Sequence, residues 1–340
     1  MLDEIRLLGA FATGLFAVYA LTPVAIRIAR RTGFMDTPGG YKQHGGATPY
    51  LGGTAVLAGF ALGALFFGGA TGAFAVVLLL AVGLWVVGTV DDKVNLGPLL
   101  RIGLEILAAS ILWKSGHGWE VFSSDGLNLL FTNLWVLALV NAFNLMDNMD
   151  GAASSVTSVS AFGIGMLALY RGDPVLAGLC LALSGACVGF LPYNLDSPAR
   201  IFLGDGGSMP LGFLVAAATI ALPFGGGESL SVLLTVMLVG LPVFDTALVI
   251  VSRRRRGIPL LTGGRDHTTH RLAGHLPSPK AVAGTLAVVQ AALCGLAVLL
   301  SDLGPLTILA AVVAAFVVAL VAVVVLETAR FAPHHVPRED

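Results

Sequence analysis

The sequence predicts an all-α, polytopic membrane protein of about ten or eleven transmembrane helices, with its amino end outside and its carboxyl end in the cytoplasm. Three observations predict it. Hydrophobic residues make up 56% of the 340 and charged residues only 11%, whereas a soluble domain of this size carries about a quarter charged residues. The mean hydropathy is +0.88, and uncharged apolar stretches recur from one end to the other, as membrane-crossing helices require. Finally, 16 of the 19 lysines and arginines fall on one side of the resulting topology, which marks that side as cytoplasmic.

In chain order the spans are expected near 5–28, 51–68, 73–90, 98–113, 129–145, 152–170, 175–192, 208–224, 229–251, 281–300 and 306–326. Several are short for a hydrocarbon core of about 30 Å, which tilt or local thinning accommodates. The start Met1-Leu2-Asp3-Glu4 is acidic, unlike the basic head of a cleavable signal. Arg27, Arg30 and Arg31 follow the first apolar stretch and hold its far end inside. Only Arg6, Lys114 and Arg171 are assigned to the outer side. Outer connections are minimal apart from 114–128. The inner connections near 30–50, 91–97, 146–151, 193–207 and 252–280 are richer in polar residues. With no soluble domain and no repeat, 1–340 reads as a single integral-membrane domain whose chemistry sits at the inner surface. The net charge of -1 says nothing about partners, since what matters is where the charges sit; no nucleic-acid partner is expected. Cys180, Cys187 and Cys294 lie in apolar segments at no ligand or paired spacing and read as small core residues.

Four polar constellations interrupt this background. Asp91-Asp92 closes the third span; adjacent carboxylates repel unless a cation or proton holds them, although a polar helix end with Lys93 as counter-ion is the plainer reading. Asn141, Asn144, Asp147 and Asp150 are spaced by three and end at Gly151. On a helix each lies about 60° behind the last, a polar stripe in an otherwise apolar span, where unpaired amides are costly; asparagines that bind neighbouring helices together are the alternative. Asp205 stands in the turn Gly204-Asp205-Gly206-Gly207-Ser208 that feeds the eighth span. Backbone N–H groups at such a helix start suit a phosphate. A carboxylate there would repel it unless a divalent cation lay between, and Asp205 with magnesium resolves that conflict; a plain capping turn is the other reading. The last inner loop carries His267, His270 and Arg271, able to share one side of a helical turn. With His275 they could suggest zinc, but no cysteine is near and the carboxylates are hard donors, so donors to a pyrophosphate fit better. The run Arg253 to Arg256 reads as an anchor to anionic headgroups with no catalytic role. In the first inner loop, rich in Pro and Gly, Lys42 and His44 could face an anionic ligand.

In this order the motifs resemble the polyprenyl-phosphate N-acetylhexosamine-1-phosphate transferases, a group of glycosyltransferase family 4 type. The resemblance runs over the loop Asp36–Gly53, the Asp91-Asp92 pair, the stripe Asn141–Gly151, the turn Phe202–Ser208 and the loop His267–Leu272. It departs at Asn148 and Ala152, where the family more often has glycine and leucine. It also lacks the three consecutive histidines of the phospho-MurNAc-pentapeptide translocases, and so looks more like the GlcNAc-1-phosphate branch. The resemblance implies a multi-pass protein of the bacterial plasma (inner) membrane with its active site facing the cytoplasm. Asp205 and Asp147 would be metal-site residues for Mg2+, with Mn2+ as substitute. Asp91 and Asp92 would lie beside the lipid phosphate as catalytic residues, with Asp147 and Asp150. Asn141, Asn144, Asn194, His267, His270 and Arg271 would bind substrate, with Lys42 and His44.

The expected reaction moves N-acetylhexosamine-1-phosphate, most simply GlcNAc-1-phosphate, from a UDP-sugar to undecaprenyl or another polyprenyl phosphate, releasing UMP and starting a cell-envelope glycan. A homodimer is compatible with this. The peptidoglycan pentapeptide transferase is the near alternative. An ion-coupled secondary transporter is the alternative from another class, but it would place carboxylates mid-membrane, and only Glu105 sits well inside a span.

Overall fold

In a bilayer each backbone N–H and C=O must be satisfied within the protein, which leaves helices as the way for one chain to cross. The computed structural model describes residues 2–36, 46–68, 72–222, 228–260, 264–328 and 331; Lys42 and His44 lie outside them. The described helices are α1 (Leu2–Thr32), α2 (Gly52–Phe67), α3 (Gly72–Val94), α4 (Pro98–Leu112), α5 (Asp125–Met146), α6 (Ala152–Tyr170), α7 (Pro174–Asn194), α8 (Asp205–Ile220), α9 (Glu228–Leu238), α10 (Gly240–Arg256), α11 (Thr268–Ala273), α12 (Pro279–Leu300) and α13 (Pro305–Leu326). Two short strands, β1 (Met35–Asp36) and β2 (Thr48–Pro49), pair antiparallel.

Each expected span is largely helical over its described residues, but not all are of one kind. Seven helices (α1, α3, α5, α6, α7, α12 and α13) are long and apolar enough to cross a membrane. At 16, 15 and 16 residues, α2, α4 and α8 fall short of the roughly 20 a full crossing takes. The continuous span expected at 229–251 is broken: α9 and α10 meet at Val239 with a bend of 83°. A break frees backbone groups that cannot reach water, and here Gln290 of α12 takes them up. Its Nε2 donates to the Leu238 carbonyl at 2.8 Å, and its Oε1 accepts from the Leu241 N–H at 3.0 Å. Gln290→Leu should therefore cost about 2 kcal/mol, the penalty for unpaired buried backbone groups. The thermal unfolding midpoint in detergent measures this, and an unchanged midpoint would mean the bend holds itself.

α6 and α7 are buried over most of their length, while α13 fully buries only Ile308, packs Ala311, Val312 and Ala315 against the core, and exposes much of its remaining apolar surface. α1 crosses α7 at backbone contact. A β-carbon at Gly185 would lie 2.1 Å from the Phe11 carbonyl oxygen, and one at Gly189 2.2 Å from that of Leu15. Helices in lipid pack through such small residues, since dispersion, not water exclusion, draws them together. α8 is wedged between α3 and α5 by the same device: at Gly88 a β-carbon would come within 2.2 Å of the Asp205 carbonyl oxygen. No larger residue at Gly88 would let α3 deliver Asp91 and Asp92 to the start of α8. The segment after β2 is fastened there as well, for Phe202 N–H donates to the Pro49 carbonyl and Gly53 N–H to that of Leu203.

Candidate active site

The C-terminal ends of α3, α5 and α7 and the N-terminal ends of α4 and α8 meet at one end of the bundle, and the polar residues converge there. Arg101, in the first turn of α4, is the hub. Its Nη1 donates to Asp91 Oδ2 at 2.6 Å and to Asp205 Oδ2 at 3.0 Å, and its Nη2 donates to Asn144 Oδ1 at 3.1 Å. Asn144 in turn donates to Asp205 Oδ1 at 2.7 Å and to Ser208 Oγ at 2.9 Å. Asp91 also accepts from the Leu96 N–H. One guanidinium thus holds two carboxylates and an amide from α3, α8 and α5, a use for which its planar fork is suited and a lysine is not.

Asp92 faces the opposite way. Its two oxygens accept from the N–H groups of Asp205 and Gly206 at 2.9 and 3.1 Å, so it caps the positive end of α8. Gly204 makes the turn possible with φ +73, and a β-carbon there would strike Asp92 Oδ2. This corrects two expectations. The helix start predicted to receive a phosphate already holds a carboxylate, and Asp92 has both oxygens occupied by backbone.

Asp147, just past the end of α5, completes the cluster. Burial pushes its carboxyl well above the ordinary carboxylate range, and the charges of Asp205, Asp92 and Asp150 push the same way, against a backbone hydrogen bond with Gly204. The excess of negative charge over the single Arg101 is what a divalent cation relieves, and carboxylate oxygens are the donors a small hard cation takes. Among the described residues no three carboxylate, imidazole or thiol groups gather closely enough to enclose an ion. A cation at Asp147 and Asp205 would fill its shell with water and phosphate oxygens, the common arrangement for magnesium.

The histidine loop joins this end through Asn148, whose Oδ1 accepts from the Thr269 hydroxyl. His267 and His270 lie side by side, ring centroids 6.2 Å apart. Burial lowers His270 to about 4, and the charges of His267 and Arg265 act in the same direction. Arg271 departs from expectation. It is buried and points away from the cluster, donating to the Asp266 and Leu326 carbonyls, Ser252 Oγ and Glu327 Oε1. That leaves it no role as a phosphate donor; it pins the loop to the end of α13. Asn194 is likewise committed, accepting from the Gly151 N–H at 2.7 Å and donating to the Ile201 carbonyl at 3.1 Å. It ties the α5–α6 turn to the approach to α8. Asn141 points one turn deeper, donating to Glu105 Oε2 at 2.6 Å.

The arginine run is not a uniform lipid anchor either. Arg253 is buried and grips Asp266 with two bonds of 2.7 and 3.0 Å, and Arg256 adds a third at 3.2 Å. These bonds outweigh the burial of Asp266 and hold its carboxyl below its usual value. Only Arg254 and Arg255 are exposed. Reading by composition missed Arg101, Asn148, Asp245 and Arg253. The signal for Arg253 was present: four consecutive residues on a helix sweep about 300°, so they cannot all face lipid.

Residues 74–223, which carry Asp91, Asp92, Asn144, Asp147, Asp150 and Asp205, match glycosyl transferase family 4. A probable undecaprenyl-phosphate N-acetylglucosaminyl 1-phosphate transferase of Bacillus subtilis is 30% identical over 292 residues, 80% of this chain and 79% of that one. The decaprenyl-phosphate N-acetylglucosaminephosphotransferase of Mycobacterium tuberculosis is 31% identical over 312 residues, covering 80% and 76%. An undecaprenyl-phosphate alpha-N-acetylglucosaminyl 1-phosphate transferase of Escherichia coli is 27% identical over 281 residues, covering 76% and 75%.

Proposed function

Because the chain belongs to glycosyl transferase family 4, we propose that it transfers N-acetylglucosamine-1-phosphate from UDP-N-acetylglucosamine to a polyprenyl phosphate in the plasma membrane, releasing UMP on the cytoplasmic side. The relatives' names supply the reaction and the acceptor. The observation that carries the reading in this chain is the convergence of Asp91, Asn144 and Asp205 on Arg101 with Asp147 alongside. The lysine and arginine bias supports the cytoplasmic side.

In the reaction an oxygen of the acceptor phosphate attacks the sugar-bearing phosphorus of the donor, and the bond from that phosphorus to UMP breaks. Two anions must meet, so the barrier is largely electrostatic. Magnesium held by Asp205 and Asp147 would neutralise charge on the pyrophosphate and on departing UMP. Arg101 fixes Asp205 in place and adds positive charge beside it. Asp92 keeps the start of α8 rigid, and His267 and His270 face the pyrophosphate from the far loop. A phosphate monoester has its second pKa near 6, so the acceptor is largely ionised already. That fits carboxylates that are tied up in positioning and not free as bases.

The test uses purified protein, UDP-N-acetylglucosamine labelled in the sugar, and polyprenyl phosphate in detergent. Label should pass into the organic phase only with lipid and magnesium, UMP should appear in equal amount, and EDTA should stop both. No transfer from any UDP-N-acetylhexosamine would overturn the reading. Intact label accumulating inside vesicles would favour a transporter.

A further inference from the structure

Asp245 stands in the second turn of α10, just beyond the 83° break, and is completely buried. A carboxylate inside an apolar helix is costly, and the reaction outlined above makes no use of it. Both its oxygens are engaged, and both partners belong to the histidine loop. Oδ2 meets His267 Nδ1 at 2.8 Å, and Oδ1 accepts from the Thr268 N–H at 2.6 Å. We propose that Asp245 is a positioning residue that fixes the ring of His267 with Nε2 turned toward the pyrophosphate of the nucleotide-sugar, an inference resting on the transferase reading.

An ionised carboxylate only accepts hydrogen bonds, so the hydrogen between the two side chains sits on His267 Nδ1. Nε2 is then the nitrogen that can meet a ligand. A second partner on such a histidine fixes the ring orientation, and the Thr268 N–H on the other oxygen holds the carboxylate against the same loop. The other charged groups around His267 are Asp266, with Arg253 bound to it, and Arg265 near His270. The broken helix thus acquires a purpose: the bend carries Asp245 to the floor of the loop.

The test compares D245N, H267Q and the double variant with the wild type. In D245N the amide keeps the shape of the side chain and removes its charge. D245N should lower kcat between about 10- and 100-fold. In the double variant the added loss over H267Q should vanish. A D245N loss of the same size in the H267Q background overturns the proposal and leaves Asp245 a structural residue. Should D245N not be recovered as a monodisperse species, D245E carries the test. With the carboxylate displaced from the ring, kcat should fall in the wild-type background and not in the H267Q background; an undiminished kcat, or an equal fall in both, overturns the idea. A wild type without transfer sinks the parent reading instead. Asp245 is then judged on UMP binding, which D245N should weaken in the wild-type background and not in the H267Q background; equal weakening in both, or none, overturns it.

Discussion

Asp205→Asn should reduce transfer by on the order of a thousand-fold, the scale on which one preorganised electrostatic group acts, and leave the protein folded. The two halves of that expectation come from the same contacts. Asp205 accepts from Arg101 through Oδ2 and from Asn144 through Oδ1. An asparagine oxygen can take over one of these bonds, so the α4–α5–α8 junction stays closed. It cannot replace the charge, and beside Asp147 the charge is what a cation needs. Removing one carboxylate from a crowded cluster also relieves repulsion, so the unfolding midpoint should hold or rise, the usual relation between a strained site and stability. Turnover and midpoint are measured on the same preparation. Retained turnover at ordinary magnesium would remove Asp205 from the metal site.

Arg101→Met should do damage of another kind, losing turnover and stability together. The change leaves Asp91, nearly fully buried, with only the Leu96 N–H to answer its charge. Breaking such a pair from one side costs about 3 kcal/mol, and removing a cation from a phosphoryl-transfer site costs on the order of a thousand-fold in rate. Arg101→Lys separates the two effects. A single ammonium can answer Asp91 or Asp205 but lacks the fork that reaches Asn144 as well. The lysine variant should recover most of the midpoint and little of the rate. Full recovery of rate would show that charge alone mattered and that the geometry around Asn144 does not.

Much of this was legible in the chain. Apolar runs located the helices, and the spacing of Asn144 and Asp147 put both on the surface that meets α8. Asn141 escaped that inference because each step of three residues turns about 60° along the helix. Two steps before Asp147, it faces Glu105 on α4 instead of Asp205 on α8. Arg101 was taken only as a topological charge, since its partners Asn144 and Asp205 lie 43 and 104 residues away and no local pattern announces them. The break at Val239 was hidden for a related reason. Val239-Gly240-Leu241-Pro242 is apolar on both sides, and the residue that makes a bend tolerable, Gln290, is on another helix. Arg271 and Asn194 looked like ligands for phosphate or nucleotide because their polar groups stand in polar loops. The structure spends those groups on contacts within the protein, with backbone for Asn194 and with backbone and side chains for Arg271, which spacing alone cannot reveal.

The carboxylate of Asp92 at the head of α8 has a consequence for selectivity. A bare helix terminus attracts oxyanions of many kinds, and a cell is rich in inorganic phosphate and free nucleotides. With that terminus plugged from within, an anion approaching the head of α8 meets the carboxylates of Asp92, Asp205 and Asp147 in place of free backbone donors, and is repelled unless it arrives sharing a metal. Discrimination against the commonest competitors is thereby built into the way two helices are pinned together, before any part of the sugar is recognised.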